Sequence, residues 1–347
     1  MKSRRRVFQM VLLSCLCMLL ISQNAIAAES PKPKKFSFKL ATTMPMGQPM
    51  TQRGDMMKKL VEERSNGRIT VQHYPAGQLF ATDALTEAVP TGAVQLAFCQ
   101  SAISKIVPDH DLFNLMFLMR SEKETYAARD AAMPELRKAF NKKFNAELLG
   151  WVNYECEQAI LFTKPVSKLS DFKGRKVRNA GGGHALVVQA IGCATVEITS
   201  SDVYLAMQRG TIDGVSSGTV SHLSRKWYEV AKYLSGFYGG SYLYSATANL
   251  DWWKTLSAED QKLIRDALLD VQAASDAAAA VATREQIATL QKYGVKLFTL
   301  PEEDLLKAQN AASKAIKAYY VDILGKDQTE RYTTLIEKAI GRTLFPS

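Results

Sequence analysis

The stretch SAEDQKLIRDALLDVQAASDAAAAVATREQIATLQKYG, from Ser257 to Gly294, constrains this fold more than any other part of the chain. Its Ala, Leu, Gln and Glu content favours one continuous helix. Ser257-x-x-Asp260 is a capping-box variant that opens it, and Gly294 closes it. At 1.5 Å per residue, roughly 36 residues span about 54 Å, more than the diameter of a single domain. Such a helix would lie across two domains as a strut. The other reading is two shorter helices broken near Ser275.

A chain of 347 residues has room for two domains, because single domains cluster around roughly 100–150 residues. With 47% hydrophobic and 22% charged residues it reads as globular and soluble. The first segment stands apart. Lys2, Arg4, Arg5 and Arg6 form a positive start, Val7 to Ile21 is an almost unbroken apolar run, and Ala25-Ile26-Ala27 supplies the small residues of a cleavage site. Residues 1–27 therefore read as a signal peptide, cut after Ala27 or Ala28. RRVFQ loosely matches a twin-arginine export signal, but Arg4 stands where Ser or Thr is usual, so an ordinary Sec leader is preferred. Cys15 sits in a faint lipoprotein box that apolar residues overrun. No later run is long enough to span a bilayer.

Removing the leader lowers the formal charge from +10 to +6 and leaves three cysteines, Cys99, Cys156 and Cys193. That number allows at most one disulfide, so the fold must stand on its cores. The remaining basic residues are mixed with acidic ones, as at Arg120 to Glu124, without the aromatic-interleaved basic stripe of a nucleic-acid binder.

After a Pro/Lys linker at Pro31 to Lys35, strand and helix patterns alternate. FSFKLATT is a strand, Pro49 to Ser65 a helix stopped by Asn66-Gly67, RITVQHY and VQLAFC strands, Glu122 to Phe144 a polar helix, and AELLGWVNYE a strand. A second round begins near Glu155 with GRKVRN, HALVVQAIG, ATVEI, SSDVYLAMQRG and TIDGVSSG. This alternation predicts an α/β fold with a largely parallel sheet.

Three enzyme-like signals weaken on inspection. Gly181-Gly182-Gly183 follows a strand and precedes a helix, with Glu197 after the next strand, as an exported nicotinamide-dependent oxidoreductase would require. Leu186, however, occupies the third glycine position of GxGxxG. Gly214-Val215-Ser216-Ser217-Gly218 matches a nucleophile elbow, yet the histidine that follows is His222 on the adjoining helix, too near in the chain to complete a triad. His73, His110, His184 and His222 lack metal-ligand spacing, and the cysteines form no CxxC. Neither a cofactor nor a metal is expected, and the chain is not read as an enzyme.

Arg178 is different. With Val177 facing the core, its side chain points to the other face at the carboxyl end of a strand, where α/β folds place ligands. Its planar guanidinium matches a carboxylate bidentately. The residues leave two roles open, that clamp or a structural ion pair with Asp171 or Glu197.

SNGRITVQHYPAGQLFATDALTEAVPTGAVQLAF resembles the corresponding segment of the DctP-type solute-binding proteins of tripartite ATP-independent periplasmic (TRAP) transporters. KPVSKLSDFKGRKVRN, AIGCATVEITSSDVYLAMQRGTIDG and NLDWWKTLSAEDQKLI resemble later signatures of that family, in the same order. The resemblance implies a periplasmic solute-binding protein fold: two α/β lobes, an interdomain cleft and a long helix spanning both. Lobe I would be residues 33–154 with roughly 244–283, and lobe II residues 155–243 with roughly 284–347. It also implies an arginine clamp on the ligand's carboxylate at the position of Arg178, an organic acid as ligand, and TRAP membrane subunits as partners.

Two departures refine that expectation. Gln158 stands where many relatives carry a second arginine, and Ser216 and Ser217 stand where many carry asparagine. Loss of a cation and an amide implies a monocarboxylate. Tyr154, Tyr204, Trp227, Tyr238 and Tyr242 are aromatic candidates for the walls, with Tyr154 and Tyr242 preferred because they flank the implied crossovers between lobes.

Overall fold

The structure is a computed structural model that describes residues 34–44, 46–99, 103–113, 115–179 and 183–345. The signal peptide expected over residues 1–27 lies outside the described residues, as do Gly181 and Gly182.

In chain order the elements are β1 (Phe36–Ala41), α1 (Pro49–Arg64), β2 (Ile69–Tyr74), α2 (Thr82–Ala88), β3 (Leu96–Cys99), α3 (Glu122–Phe144), β4 (Ala146–Phe162), β5 (Lys176–Arg178), α4 (Gly183–Ala190), β6 (Ala194–Val196), α5 (Val203–Gln208), β7 (Gly214–Gly218), α6 (Thr219–Ser224), β8 (Tyr233–Ser235), β9 (Ser241–Asn249), α7 (Leu250–Thr255), α8 (Ala258–Lys292), β10 (Lys296–Phe298), α9 (Glu302–Leu324) and α10 (Lys326–Ile340). Local chemistry explains the helix ends. α1 starts on Pro49, whose missing N–H costs nothing in a first turn. α3 is capped by the Ser121 hydroxyl, which accepts from the Glu124 N–H at 3.2 Å, and it stops at Asn145 in the left-handed region. None of the described helices is long and apolar enough to cross a membrane.

The strands follow the order β2-β1-β3-β9-β4-β7-β5-β6, with β8 on β4 and β10 on β8. The expected largely parallel sheet is corrected to a mixed one. β1 with β3, β5 with β6 and β7, and β8 with β10 run parallel. β3 with β9, and β4 with β7, β8 and β9, run antiparallel. β4 and β9 travel in opposite directions through the middle, so each meets the strand–helix–strand units on its flanks in reverse.

The strand read over AELLGWVNYE does not end at Glu155. β4 is one strand of 17 residues. Glu155 takes a positive φ of 55°, and the pairing of β4 with β9 shifts register between Asn153 and Glu157. The chain kinks there without ending. Beyond the kink, alternate residues serve two cores. Ile160 and Phe162 pack into one with Phe172, Val177 and Phe298, while Ala159 and Leu161 pack into another with Val215, Trp227, Leu234 and Leu290. A strand buried on both faces reads as continuous apolar sequence.

α8 is unbroken over 35 residues, which removes the alternative of two helices. Ser257 Oγ accepts from the Asp260 N–H at 3.1 Å, as a cap should. Ser275 is fully buried, accepting from the Asn153 N–H at 3.0 Å while donating to the Gln272 carbonyl. Gln272 Oε1 accepts from the Trp151 N–H at 2.8 Å, and Gln286 Nε2 donates to the Glu155 carbonyl at 3.0 Å. These groups point away from β9, so side chains of the helix substitute for a strand on that edge. At its start α8 is tied to the first units through Arg68 with Asp260, and near its end Leu290 enters the second core.

Candidate functional site

Arg178 is the last residue of β5, level with Val196 of β6 and Val215 of β7. Val177 is fully buried on the opposite face. Arg178 Nε donates to the Ile198 carbonyl at 3.0 Å, which anchors the inner edge of the guanidinium. Among the described residues no carboxylate lies within ion-pair distance of it. Asp171 instead accepts from the N–H groups of Ser167 and Lys168, at 2.8 and 3.2 Å. Burial lowers the pKa of Arg178; Tyr242 opposes that, Arg225 adds to it, and Glu197 opposes it from farther than an ion pair. A guanidinium taken out of water without a bonded anion is unstable relative to one that has an anion.

Beside it stands a group of rings. Tyr154 and Tyr242 have centroids 6.2 Å apart, Tyr154 and Tyr244 5.5 Å, and Tyr242 and Tyr244 6.1 Å. His184, in the first turn of α4, lies nearly parallel to Tyr242 at 6.3 Å and 12°. Tyr154 is only 9% exposed, and its hydroxyl bonds to no described residue. Burial pushes its pKa up, first among the causes, while the charge of Arg225 works in the opposite direction.

The structure brings Arg178, Tyr154 and Tyr242 together, and places the other expected residues deeper. Gln158 is 1% exposed and its amide donates to the Ser241 carbonyl at 3.3 Å. Ser216 is 5% exposed, with Oγ donating to Met116 Sδ at 3.4 Å. Ser217 is half-buried on β7 opposite Ala159. Of the remaining aromatic candidates, Tyr204 donates its hydroxyl to Glu229 on the surface, Trp227 belongs to the second core, and Tyr238 bonds Thr125 and Ser241. Tyr244, His184 and Arg225 were not among the sequence candidates. Tyr244 follows Tyr242 by two residues in β9, so alternation would have placed it on the same face. Arg225 carries no such signal.

The enzyme-like motifs have structural explanations. A Cβ on Gly183 would come within 2.6 Å of Leu115 Cδ2, so glycine lets the start of α4 pack close against that side chain. His222 Nε2 lies 3.2 Å from the Ala159 carbonyl, and burial pushes its pKa down to about 4. It has no bond to Ser216. Among the described residues no cluster of His, Cys, Asp or Glu is arranged to hold a metal ion. A polar surface recess of about 740 Å³ between α3 and α10 contains none of the residues around Arg178. Four of its charged side chains pair within it, Lys143 with Asp109 at 3.3 Å and Lys138 with Glu135 at 2.6 Å.

Residues 40–322 match the family described as bacterial extracellular solute-binding protein, family 7 (DctP). A solute-binding protein of Albidiferax ferrireducens is 27% identical over 260 residues, 73% of this chain and 76% of its own. The C4-dicarboxylate-binding periplasmic protein DctP of Shewanella loihica is 28% identical over 311 residues, 88% and 90% of the two chains. Among solved structures, a TRAP periplasmic solute-binding protein of Desulfovibrio salexigens with bound orotic acid superposes with a TM-score of 0.78 at 22% identity, covering 88% of this chain and 99% of that one. That likeness speaks for the fold, and the family match for descent. The chain belongs to the DctP family of bacterial extracellular solute-binding proteins, family 7.

Proposed function

We propose that this protein is an exported periplasmic receptor that captures an organic acid by a salt bridge to Arg178 and delivers it to a TRAP-type membrane transporter. The observation that carries the reading is the mostly buried guanidinium, anchored through Nε and lacking a bonded carboxylate, beside the tyrosine group. With Nε engaged, the two terminal nitrogens remain to grip both oxygens of a ligand carboxylate. The similar proteins include, by name, a C4-dicarboxylate-binding and an ectoine-binding protein, and solved structures with bound orotic acid, pyroglutamic acid and sn-glycerol-3-phosphate.

The two lobes, 33–154 with 244–283 and 155–243 with 284–347, would close on the acid. β4 and β9 would cross between them at the kinked stretch Asn153 to Glu157. Closure excludes water and strengthens the ion pair. Micromolar capture needs about 8 kcal/mol. Two charge-assisted bonds supply about 3–6 kcal/mol. The rest comes from burying the ligand's apolar face against Tyr154, Tyr242 and Tyr244.

The test is a thermal-shift screen of carboxylic acids followed by calorimetry on those that bind. Arg178→Met should weaken binding by about a hundredfold or more while the unliganded protein melts no lower than the parent. Undiminished affinity in that variant would reject the assignment.

A further inference from the structure

The kink in β4 is held by side chains rather than by the strand ladder. Asn153 pairs with Leu243 and Glu157 with Ser241, so residues 154–156 of β4 face Tyr242 alone on β9. Tyr154 and Tyr242, two of the three clustered rings, both lie inside this bulge, where no paired register fixes their direction. Glu155 sits at its centre with a φ of 55°, in the left-handed region that a residue with a Cβ avoids. Three bonds hold it there. Its N–H donates to Asn153 Oδ1 at 2.9 Å, and its carbonyl accepts from Gln286 Nε2 at 3.0 Å. Its carboxylate accepts from Arg53 of α1, through Nε at 2.6 Å and Nη2 at 2.5 Å. Gln286 is fixed in turn by the Thr219 hydroxyl at the start of α6, which donates to its Oε1 at 2.5 Å. Arg53 and Glu155 stand 102 residues apart in the chain, with 18% and 9% of their side chains exposed. Burial disfavours the Glu155 carboxylate, and Arg53 opposes that. Backbone strain persists where the surroundings over-determine it, and such places collect at functional sites.

We propose that Arg53 and Glu155 are a positioning pair for this site: their ion pair holds the bulge of β4 in the conformation that sets the Tyr154 ring against Tyr242 and Tyr244. Affinity for the acid depends on the pair although neither residue touches the acid. The inference rests on the organic-acid reading above, in which Tyr154 forms part of the wall. Without the ion pair the bulge loses order before capture and must regain it on binding, which lowers affinity.

Thermal shift finds the carboxylic acids that bind the parent, and calorimetry then compares the parent with Glu155→Gln, Glu155→Gly and the double variant Arg53→Met with Glu155→Gln. Glu155→Gln keeps the shape and removes the charge. Glu155→Gly adopts a φ of 55° freely, so it keeps the kink and removes the ion pair. The double variant avoids leaving a buried carboxylate unpaired. Each should weaken binding about fivefold or more, with the double variant no weaker than Glu155→Gln alone. Glu155→Gly should melt no lower than Glu155→Gln, which separates affinity from stability. On a Tyr154→Leu background, which keeps an apolar wall without the ring, Glu155→Gln should change affinity no further. Parental affinity in all three variants, affinity that falls only in step with the melting temperature, or an equal loss with and without the Tyr154 ring overturns the positioning role. With Arg178→Met still losing the acid, each of these results leaves the organic-acid reading standing. A panel in which no acid raises the parent's melting temperature overturns both.

Discussion

The Nε–H of Arg178 donates to the carbonyl oxygen of Ile198 at 3.0 Å, which ties the end of β5 to the chain just beyond β6 and sets the plane of the guanidinium. Charge alone is therefore not what this position provides. Arg178→Lys keeps the charge but has no Nε to bond Ile198 and no fork. It should lower affinity for any acid that binds by about tenfold to a hundredfold, measured by calorimetry. Affinity equal to the parent would mean that a point charge suffices.

Ser275 tests the fastening of α8 to the kinked strand. Ser275→Ala removes the acceptor of the Asn153 N–H and leaves a buried donor unpaired. The expected loss is about 1–3 kcal/mol of stability, read from urea unfolding as a lower midpoint at unchanged slope.

Two buried groups give opposite pH responses. Burial first, then repulsion from Glu122, push Glu157 up to about 7, against the opposing N–H of Gly239. The folded state then holds a proton that the unfolded state gives up near 4.5, so stability is full below that pH and falls as pH rises through 7. Glu157→Gln should flatten this decline by up to about 3 kcal/mol. His222 is driven down to about 4 by burial. Its unfolded form takes up a proton near 6.5, so stability is full above that value and falls as pH drops toward 4. Unfolding curves from pH 4 to 9 check both directions, and a Glu157→Gln profile parallel to the parent's would contradict the first.

Cys99, Cys156 and Cys193 are free and buried. Burial pushes the thiols of Cys99 and Cys193 up to about 12 and raises that of Cys156 as well. A thiol reagent at pH 8 should leave all three unmodified in the native protein and label three in denatured protein lacking residues 1–27. A reductant should not shift the melting temperature. Fewer than three labels under non-reducing denaturation would reveal a disulfide.

Gly239 lies against β4 so closely that an added Cβ would meet the Gln158 carbonyl oxygen at 1.8 Å. Gly239→Ala should cost about 2 kcal/mol or more, seen as a lower melting temperature.

Much of this protein is legible along the chain, because the interactions involved are local. Ser257 caps its own helix, Ser121 caps α3, Asn145 ends it, and the alternation of Val177 with Arg178 puts one side chain in the core and the other outside. The motifs that identify the family are likewise written in order. What the chain could not show alone depends on residues far apart in sequence. Glu155 reads as the end of a strand, yet β9 and the side chains of α8 satisfy the backbone on both sides of it and carry β4 through. Gln158 and Ser216 look like ligand-facing polar residues until Ser241 and Met116 close over them. Arg178 stands level with Val215 only because β7, far along the chain, pairs beside β5. Local propensity thus determines elements and caps, whereas the pairing of distant strands decides which charges share one space.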